Sequence, residues 1–330
     1  MLRVYTKKIL LLFISLLLSF LYSCGILESE SDPMPLHKEG YVNRIYSINI
    51  DGSDLKLLSY DDDYIASPTG DKIFIHSNDS IYSANPDGTN KHLLTPGSYI
   101  GLWFSSAANK ICLEQKNTLD NYFINTDGSG LTKITLPNLL IYSWDISPSA
   151  DKVVYSCNRG LYLTNIDGSN SILLKDTSNS LLVSGARFTS DGNSILFNQE
   201  NYLNGASSFV LYNLKSGSST NLFSGDVDYE LSPPDTILFS SSGGIYLLNL
   251  KNNQLLELTG GGGVHFSPDR TRFSYFLSDN TSIHTYNLIS NSMNHTDIYL
   301  PGTFLDNAYL TPDNSKIIFQ ADSTFYISKK

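Results

Sequence analysis

The chain has 330 residues, of which 41% are hydrophobic, 16% are charged and 12% are aromatic, and its formal net charge is −10. This length allows one large all-β domain or two ordinary domains, and the acidic excess argues against broad nucleic-acid binding. Three cysteines are too few for a disulfide scaffold. Abundant Tyr, Phe, Ser, Asn, Asp and Gly favour short strands joined by turns over helices.

Residues 1–23 have the pattern of a secretory signal peptide. Arg3, Lys7 and Lys8 form a basic start, and residues 9–22 are apolar apart from two serines. At ~1.5 Å per residue, this run is shorter than the ~30 Å hydrocarbon core of a bilayer. The sequence therefore predicts a cleaved signal rather than a membrane-spanning helix.

The apolar run ends in residues 21–25 (LYSCG), which resemble the lipobox of bacterial lipoproteins. The resemblance implies that Cys24 becomes a lipidated amino terminus and that its acyl chains anchor the protein stably to a membrane. A plain secretory signal with a chance cysteine is the alternative. By analogy with such lipoproteins, Gly25 favours the outer membrane in a bacterium with two membranes. Residues 24–40 are polar and aperiodic, which predicts a lipidated cysteine followed by a flexible tether.

Residues 41–330 repeat one unit of about 40 residues. The clearest element is Tyr-x-x-Asn-x-Asp-Gly, in which a strand alternation leads into a turn. The Asn and Gly positions of the four clearest copies are Asn49 and Gly52, Asn85 and Gly88, Asn125 and Gly128, and Asn165 and Gly168. Asn can cap such a turn through its side chain, and Gly takes the left-handed φ at its end. We therefore interpret these residues as structural, and degraded copies of the motif follow them.

A second motif alternates with the first. It consists of Ser or Thr, usually followed by Pro, then polar residues and an apolar alternation, as in residues 67–75, 147–155 and 311–319. Pro ends one strand, the polar residues turn the chain, and the alternation starts the next strand. Each unit thus predicts four strands: a before this turn, b after it, c before Asn-x-Asp-Gly, and d after that turn.

A four-strand unit of about 40 residues is typical of a β-propeller blade. We predict an all-β, seven-bladed propeller of four-stranded antiparallel blades in which the N- and C-terminal strands share the closing blade. Eight blades with incomplete ends is the alternative. The pattern contains one c strand more than seven blades need, so either 45–50 or 325–328 is predicted to be displaced. The period runs through residues 41–330 without a linker, which favours one domain.

The paired motifs resemble the WD-like repeats of the TolB propeller family over residues 41–330. This resemblance implies a rigid protein-interaction platform of the cell envelope. Tricorn-type and prolyl-oligopeptidase-type peptidases carry related propellers, but their Gly-x-Ser-x-Gly elbow is absent from this sequence. Seven-bladed pectic-oligosaccharide lyases share the repeat and bind a metal through clustered histidines. The six histidines of this chain show no metal-ligand spacing, so we expect no metal and no cofactor.

The a–b and c–d turns of such a ring lie on one face, and the b–c and d–a connections lie on the other. Those connections, such as 198–208 and 260–263, are predicted to be irregular loops, and many are acidic with aromatic residues between the acids. The predicted binding residues are Asp61, Asp62, Asp63, Tyr64, Tyr99, Tyr202, Asp226, Asp228 and Tyr229. We expect this face to bind a basic protein segment or a cation, and a merely solvated rim is the alternative.

The leading functional prediction is a non-enzymatic, membrane-anchored envelope lipoprotein. Its propeller would present a rigid surface to another envelope protein or to cell-wall material, and its body would be monomeric. A glycan- or metabolite-binding surface module is the second possibility, and a cleft lined by aromatic and amide side chains would favour it. A metal-dependent polysaccharide lyase or hydrolase is the third, and histidines or carboxylates converging at the channel would favour that.

Overall fold

The computed structural model describes residues 43–322 except 61–62, 78, 106–108, 138–139, 178–179, 233–235, 278–281, 291 and 297–303. The predicted signal peptide, Cys24 and tether lie outside the described residues. Within the described ranges, no helix is long and apolar enough to cross a bilayer.

Twenty-eight strands make up the described part of the chain. The first fourteen are β1 (Asn43–Asn49), β2 (Lys56–Ser59), β3 (Asp63–Ala66), β4 (Ile73–Ser77), β5 (Ser80–Ala84), β6 (His92–Pro96), β7 (Tyr99–Ser105), β8 (Lys110–Gln115), β9 (Asn121–Asn125), β10 (Thr132–Ile134), β11 (Ile141–Ile146), β12 (Lys152–Cys157), β13 (Gly160–Asn165) and β14 (Ile172–Asp176). The others are β15 (Leu181–Phe188), β16 (Ser194–Asn201), β17 (Ala206–Asn213), β18 (Ser219–Ser224), β19 (Asp228–Ser232), β20 (Thr236–Ser241), β21 (Gly244–Asn249), β22 (Gln254–Gly260), β23 (Gly262–Phe266), β24 (Arg272–Phe276), β25 (Ile283–Asn287), β26 (Ser292–Thr296), β27 (Phe304–Leu310) and β28 (Lys316–Asp322).

The strands form seven four-stranded antiparallel sheets. Six sheets, blades 1 to 6, each contain four consecutive strands in a-b-c-d order, starting with β3–β6 and ending with β23–β26. The first strands of neighbouring blades contact one another, for example β3 with β7 and β11 with β15, so these a strands lie nearest the axis. The seven-bladed propeller is therefore confirmed, and the eight-blade alternative is wrong.

Blade 7 closes the ring with strands from both ends of the chain. Its order is β2-β1-β28-β27, and β1 pairs with β28 from Asn43 opposite Asp322 to Asn49 opposite Lys316. The predicted strand 45–50 thus takes the c position of the closing blade. The other candidate for the surplus strand, 325–328, lies outside the described residues.

The c–d turns follow the predicted chemistry, as blade 3 illustrates. The amide of Asn165 donates to the Ser169 hydroxyl at 2.9 Å, and the Gly168 N–H donates to the Asn165 carbonyl at 2.9 Å. The carboxylate of Asp167 accepts the N–H and the hydroxyl of Ser169 at 2.9 and 2.6 Å. Lys152, at the start of the b strand, donates to the Asn165 side-chain oxygen at 3.2 Å. The repeated Asn therefore connects its own turn to the neighbouring a–b turn.

That lysine–asparagine link recurs in three other blades. The donor and acceptor pairs are Lys316 and Asn49 at 2.6 Å, Lys72 and Asn85 at 2.8 Å, and Lys110 and Asn125 at 2.6 Å. The sequence motifs place Lys and Asn in separate elements, so the link only becomes apparent once strands b and c are paired in register.

The hydrophobic core lies between neighbouring blades. In one cluster, Val154 and Leu161 of blade 3 pack with Phe188 and Phe197 of blade 4, and all four side chains are buried. Another cluster joins Ile318 of the closing blade to residues of blade 1. Each large apolar side chain buried in this way stabilises the fold by about 1.5–3 kcal/mol. The blades are therefore held to one another by shared layers of side chains.

Two predicted loops are shorter than expected. Strand β16 runs to Asn201 and pairs with β17 from Ala206, so most of the predicted loop 198–208 is a projecting hairpin. The glycine run 260–263 contains only Gly261 as a connection between β22 and β23. Backbone pairing extended the strands into segments whose polar or glycine-rich composition had suggested loops.

Candidate binding site on the loop face

We define the turn face as the side with the a–b and c–d turns, and the loop face as the side with the b–c and d–a connections. On the turn face, Asp51, Asp87, Asp127 and Asp167 occupy equivalent positions in c–d turns. A Ser or Thr two residues later donates its hydroxyl and its N–H to each carboxylate, which holds the pKa of all four below the usual range. These polar side chains are therefore committed to turn structure.

Three tyrosines predicted to bind a ligand on the loop face are instead structural. Tyr64 is fully buried, and its hydroxyl donates to the carbonyl oxygens of Asn307 and Ile318 in the closing blade. Tyr99 is also buried. The prediction of surface exposure was wrong at these positions, because each tyrosine lies on an a strand and packs between blades.

Tyr229 repeats the arrangement of Tyr64 in blade 5. Its hydroxyl donates to the carbonyl oxygens of Gly185 at 2.6 Å and Leu196 at 3.3 Å, both in blade 4. Burial raises the pKa of Tyr229 well above its ordinary value. Its hydroxyl thus joins two blades, and we remove Tyr229 from the binding surface together with Tyr64 and Tyr99.

The other predicted binding residues have different placements. Asp61 and Asp62 lie outside the described residues. Asp226, Asp228 and Tyr202 are exposed, and Asp63 is partly exposed with its carboxylate accepting the N–H of the next residue at 2.7 Å.

Two of the predicted acidic residues, Asp63 and Asp228, act electrostatically on one tyrosine of the closing blade. Burial raises the pKa of Tyr309 above its ordinary value, and the carboxylates of Glu230, Asp63, Asp306 and Asp228 raise it further. These four acids belong to blades 1, 5 and 7, so the ring brings acids that are far apart in sequence within electrostatic range of Tyr309. Within the part of the chain that the structure describes, no group of three or more His, Cys, Asp or Glu side chains could hold a metal ion.

A cavity of about 370 Å³ lies at the inner strands of blades 2, 3 and 4. Its lining residues are Trp103, Glu114, Leu119, Asn121, Leu140, Ile141, Tyr142, Ser143, Trp144, Gly185, Ala186 and Arg187. They include residues of β7, β11 and β15, Leu119 from the b–c connection of blade 2, and Leu140 from the d–a connection between blades 2 and 3. The cavity therefore belongs to the loop face.

Two tryptophans form the inner wall of this cavity, and they are the only two in the chain. The rings of Trp103 and Trp144 meet edge to face, with centroids 4.8 Å apart and an interplanar angle of 71°. A Cβ atom at position 101 would lie 2.9 Å from the Trp103 ring, so Gly101 leaves the space in which that ring lies. The two indoles are thus held in place before any ligand arrives.

Three polar groups in the cavity wall have no hydrogen-bond partner among the described residues. They are the indole N–H of Trp144, the side-chain amide of Asn121 and the carboxylate of Glu114. Trp144 and Asn121 are only 4% and 6% exposed. Burial raises the pKa of the Glu114 carboxyl. A buried polar group without a partner is costly, so a ligand in the cavity that bonds to the Trp144 N–H, the Asn121 amide or the partly buried Glu114 carboxylate would be stabilised.

A buried carboxylate positions the basic residue of the cavity. Asp145 accepts the Ser105 hydroxyl at 2.6 Å and the Phe188 N–H at 2.9 Å, and it thereby links blades 2, 3 and 4. Burial raises the pKa of Asp145, and the positive charge of Arg187 opposes that rise. Arg187 also donates to the Phe104 carbonyl at 3.3 Å. The guanidinium is therefore fixed at the cavity and offsets the charge of Asp145.

Sequence reasoning did not identify this cavity. The sequence did contain a signal for it, because both tryptophans occur just before the a–b turn in consecutive repeats. Side chains at that point of an a strand face either a neighbouring blade or the axis, and the two alternatives have the same sequence pattern.

Similarity to known proteins is found among solved structures. No protein-family model matches the chain, and no curated protein matches it significantly. Among solved structures, a putative TolB from Agrobacterium tumefaciens is 15% identical, with 86% of this chain and 99% of that chain covered and a TM-score of 0.47.

Two further solved structures have higher TM-scores. The β-propeller domain of Cps50 (Swd1) from Myceliophteria thermophila is 11% identical, with 78% of this chain and 95% of that chain covered and a TM-score of 0.56. Dihydro-heme d1 dehydrogenase NirN, solved in complex with DHE, is 12% identical, with 87% of this chain and 69% of that chain covered and a TM-score of 0.50. At these identities the likeness concerns the propeller fold, which hosts both binding proteins and enzymes.

Proposed function

We propose that this protein is a non-enzymatic interaction platform of a bacterial cell envelope, and that it captures a protein partner on its loop face. The observation that carries the proposal is the difference between the two faces. On the turn face, polar side chains of the turn motifs are bonded within their own turns, and exposed apolar residues such as Leu55 and Leu131 lie in different blades. The loop face instead exposes several large apolar side chains in blades 2, 3 and 4, beside a cavity. Rigid scaffolds that carry exposed apolar groups on one side are suited to protein recognition.

On the loop face, most of the exposed large apolar side chains lie in one sector, formed by blades 2, 3 and 4. The exposed fractions are 58% for Leu119, 62% for Leu140, 41% for Tyr142, 65% for Tyr202 and 76% for Leu203. Aromatic residues surrounded by polar groups commonly anchor protein interfaces. We therefore assign the main contact with the partner to this apolar sector.

The partner is expected to carry basic residues beside its apolar ones. Asp226 and Asp228 are exposed on the loop face, and the chain as a whole has a net charge of −10. Charges at the rim of an interface mainly accelerate association with a partner of opposite sign and suppress association with other proteins.

We also propose that acyl chains on Cys24 hold the protein at a membrane, with the outer membrane favoured in a bacterium with two membranes. The support is the basic start, the short apolar run and the cysteine that follows it. A Cys24→Ala variant is expected to move from the membrane fraction to the soluble fraction and to lack the acyl mass on its mature N-terminal peptide. An unchanged distribution of this variant would contradict the anchor.

The platform is tested by pull-down from native envelopes with matched variants. Tyr202→Ser with Leu203→Ser alters the apolar sector, and Leu55→Ser with Leu131→Ser is the control. The control pair is also apolar, is 45% exposed at both positions, and lies at c–d turns on the turn face. We expect the first variant to capture about tenfold less of a reproducible partner than the wild type does, because it lacks two anchor side chains of the interface. The control is expected to capture as much as the wild type.

Two results would contradict the platform. One is equal capture by both variants, which would remove the apolar sector from the contact. The other is the absence of any reproducible protein partner for the wild-type protein. Melting curves of both variants establish that a lost partner does not reflect a lost fold.

A further inference from the structure

The cavity on the loop face carries an inference that is independent of the protein partner. It encloses about 370 Å³, a volume within the range of about 300–1,000 Å³ that small-ligand sites occupy. We propose that this cavity is a saccharide-binding site that holds one or two sugar rings.

The first argument is the apolar wall. Trp103 is packed against Trp144 and over Gly101, and Tyr142 adds a third aromatic side chain at the cavity. A pyranose ring has flat faces of C–H groups that pack on such aromatic surfaces. Because Trp103 is already fixed, little side-chain entropy is lost when a ring packs on it.

The second argument is the polar edge. The Trp144 indole supplies an unpartnered donor, the Glu114 carboxylate an acceptor, and the Asn121 amide both a donor and an acceptor. Sugar hydroxyls both donate and accept, so adjacent hydroxyls on one ring can satisfy this mixed set. Arg187 adds donors to the same cavity.

Other ligand classes fit the cavity less well. An aliphatic or aromatic side chain of a protein partner would fill the volume but leave the polar groups without partners, which costs affinity. A cation would satisfy Glu114 and stack on an indole, yet it would leave the Trp144 N–H unpaired, because a cation such as an ammonium group accepts no hydrogen bond. A neutral polyhydroxylated ring avoids both conflicts.

The chain contains its own reporter for this site. Both of its tryptophans line the cavity, so tryptophan emission from the purified protein reports on this site. Cellotriose, maltotriose and chitotriose are titrated separately into the folded protein. At least one of them is expected to change the emission saturably, with a Kd of about 1 mM or lower.

Conservative variants test the assigned contacts. Trp144→Phe keeps an aromatic ring and removes the N–H, while Trp103 remains as reporter, and Glu114→Gln keeps the shape and removes the charge. Each is expected to weaken binding of the responding sugar by about tenfold, the effect of one strong hydrogen bond. Glu257→Gln, on exposed strand β22 of blade 5, is the matched control and is expected to bind as the wild type does.

Several outcomes would overturn the proposal. One is the absence of a saturable change with all three sugars up to about 10 mM while the melting curve is intact. Another is undiminished sugar binding by both Trp144→Phe and Glu114→Gln. A response to N-acetyl-lysine methylamide alone would instead assign the cavity to a cationic side chain. Since these titrations contain no partner protein, their failure leaves the pull-down result unaffected.

Discussion

Acidic side chains have different roles on the two faces of this propeller. On the turn face, the carboxylate of Asp167 accepts two hydrogen bonds from Ser169, and its pKa is lowered. In the loop-face cavity, Glu114 has no partner among the described residues, and its pKa is raised by burial. A polar residue that is repeated and bonded in its own turn is structural, whereas a partly buried one without a partner is a candidate for binding.

The largest expected effect concerns the residue that joins blades 2, 3 and 4 below the cavity. Asp145→Leu removes the acceptor of the Ser105 hydroxyl and the Phe188 N–H and leaves Arg187 without its opposite charge. We expect the free energy of unfolding to fall by about 3 kcal/mol in urea titrations. Asp228→Leu, at an exposed position of the loop face, is the control and should change it by about 0.5 kcal/mol or less. Equal losses would mean that this buried carboxylate does not join the blades.

Two glycines with similar positive φ angles, one on each face, allow the packing of the two faces to be compared. Gly168 on the turn face has φ +83°, and a Cβ there would lie 2.4 Å from the Thr135 carbonyl oxygen. Gly205, at the tip of the loop-face hairpin, has φ +69° and nothing within 4 Å of that position. Gly205→Ala should cost about 1 kcal/mol for the left-handed backbone alone. Gly168→Ala should cost about 3 kcal/mol, because the backbone must also shift. Similar melting temperatures for the two variants would show that the turn face is not tightly packed there.

A smaller effect is expected from acid. The pKa values of Asp51, Asp87, Asp127 and Asp167 are lowered on folding by hydrogen bonds from Ser or Thr. Their contribution to stability is therefore complete above the unfolded Asp pKa of about 3.9 and is lost as the pH falls through the lower folded values. The melting temperature should therefore decline as the pH falls below about 4.

The fourfold Asp→Asn variant at these positions is the control for the acid experiment. Because Asn does not titrate, the variant should melt at a lower temperature near neutral pH but lose less on acidification. A decline as steep as that of the wild type would assign the acid sensitivity to other groups. Protonation of Glu114 acts in the opposite sense, because its pKa is raised on folding.

The architecture was accessible from the sequence because each turn motif has a local physical reason. Asn165 and Gly168 belong to one turn, and a period of about 40 residues reveals their equivalents in the other blades. The cavity was not accessible in this way. Trp103, Trp144 and Arg187 belong to three blades, and their proximity depends on the curvature of the ring.

The burial of the tyrosines could have been found by aligning the repeats. Tyr64 and Trp144 both lie three residues before the serine that begins the a–b turn, and Trp144 is a core residue. Acidic neighbours such as Asp63 suggested a surface instead. On an a strand, adjacent residues point to opposite sides, so an acid at one position carries no information about the exposure of the next.

The pairing of β1 with β28 has a consequence for biosynthesis. During translation β1 can pair with β2 at once, but its other edge has no partner until nearly the whole chain has been made, and that edge must be kept from aggregating until then. The equilibrium cost of closing so large a loop is modest, since each doubling of loop length adds only about 0.6 kcal/mol. The consequence is therefore kinetic. We expect the protein to become resistant to proteolysis only after the final strands, β27 and β28, have joined the sheet of β1.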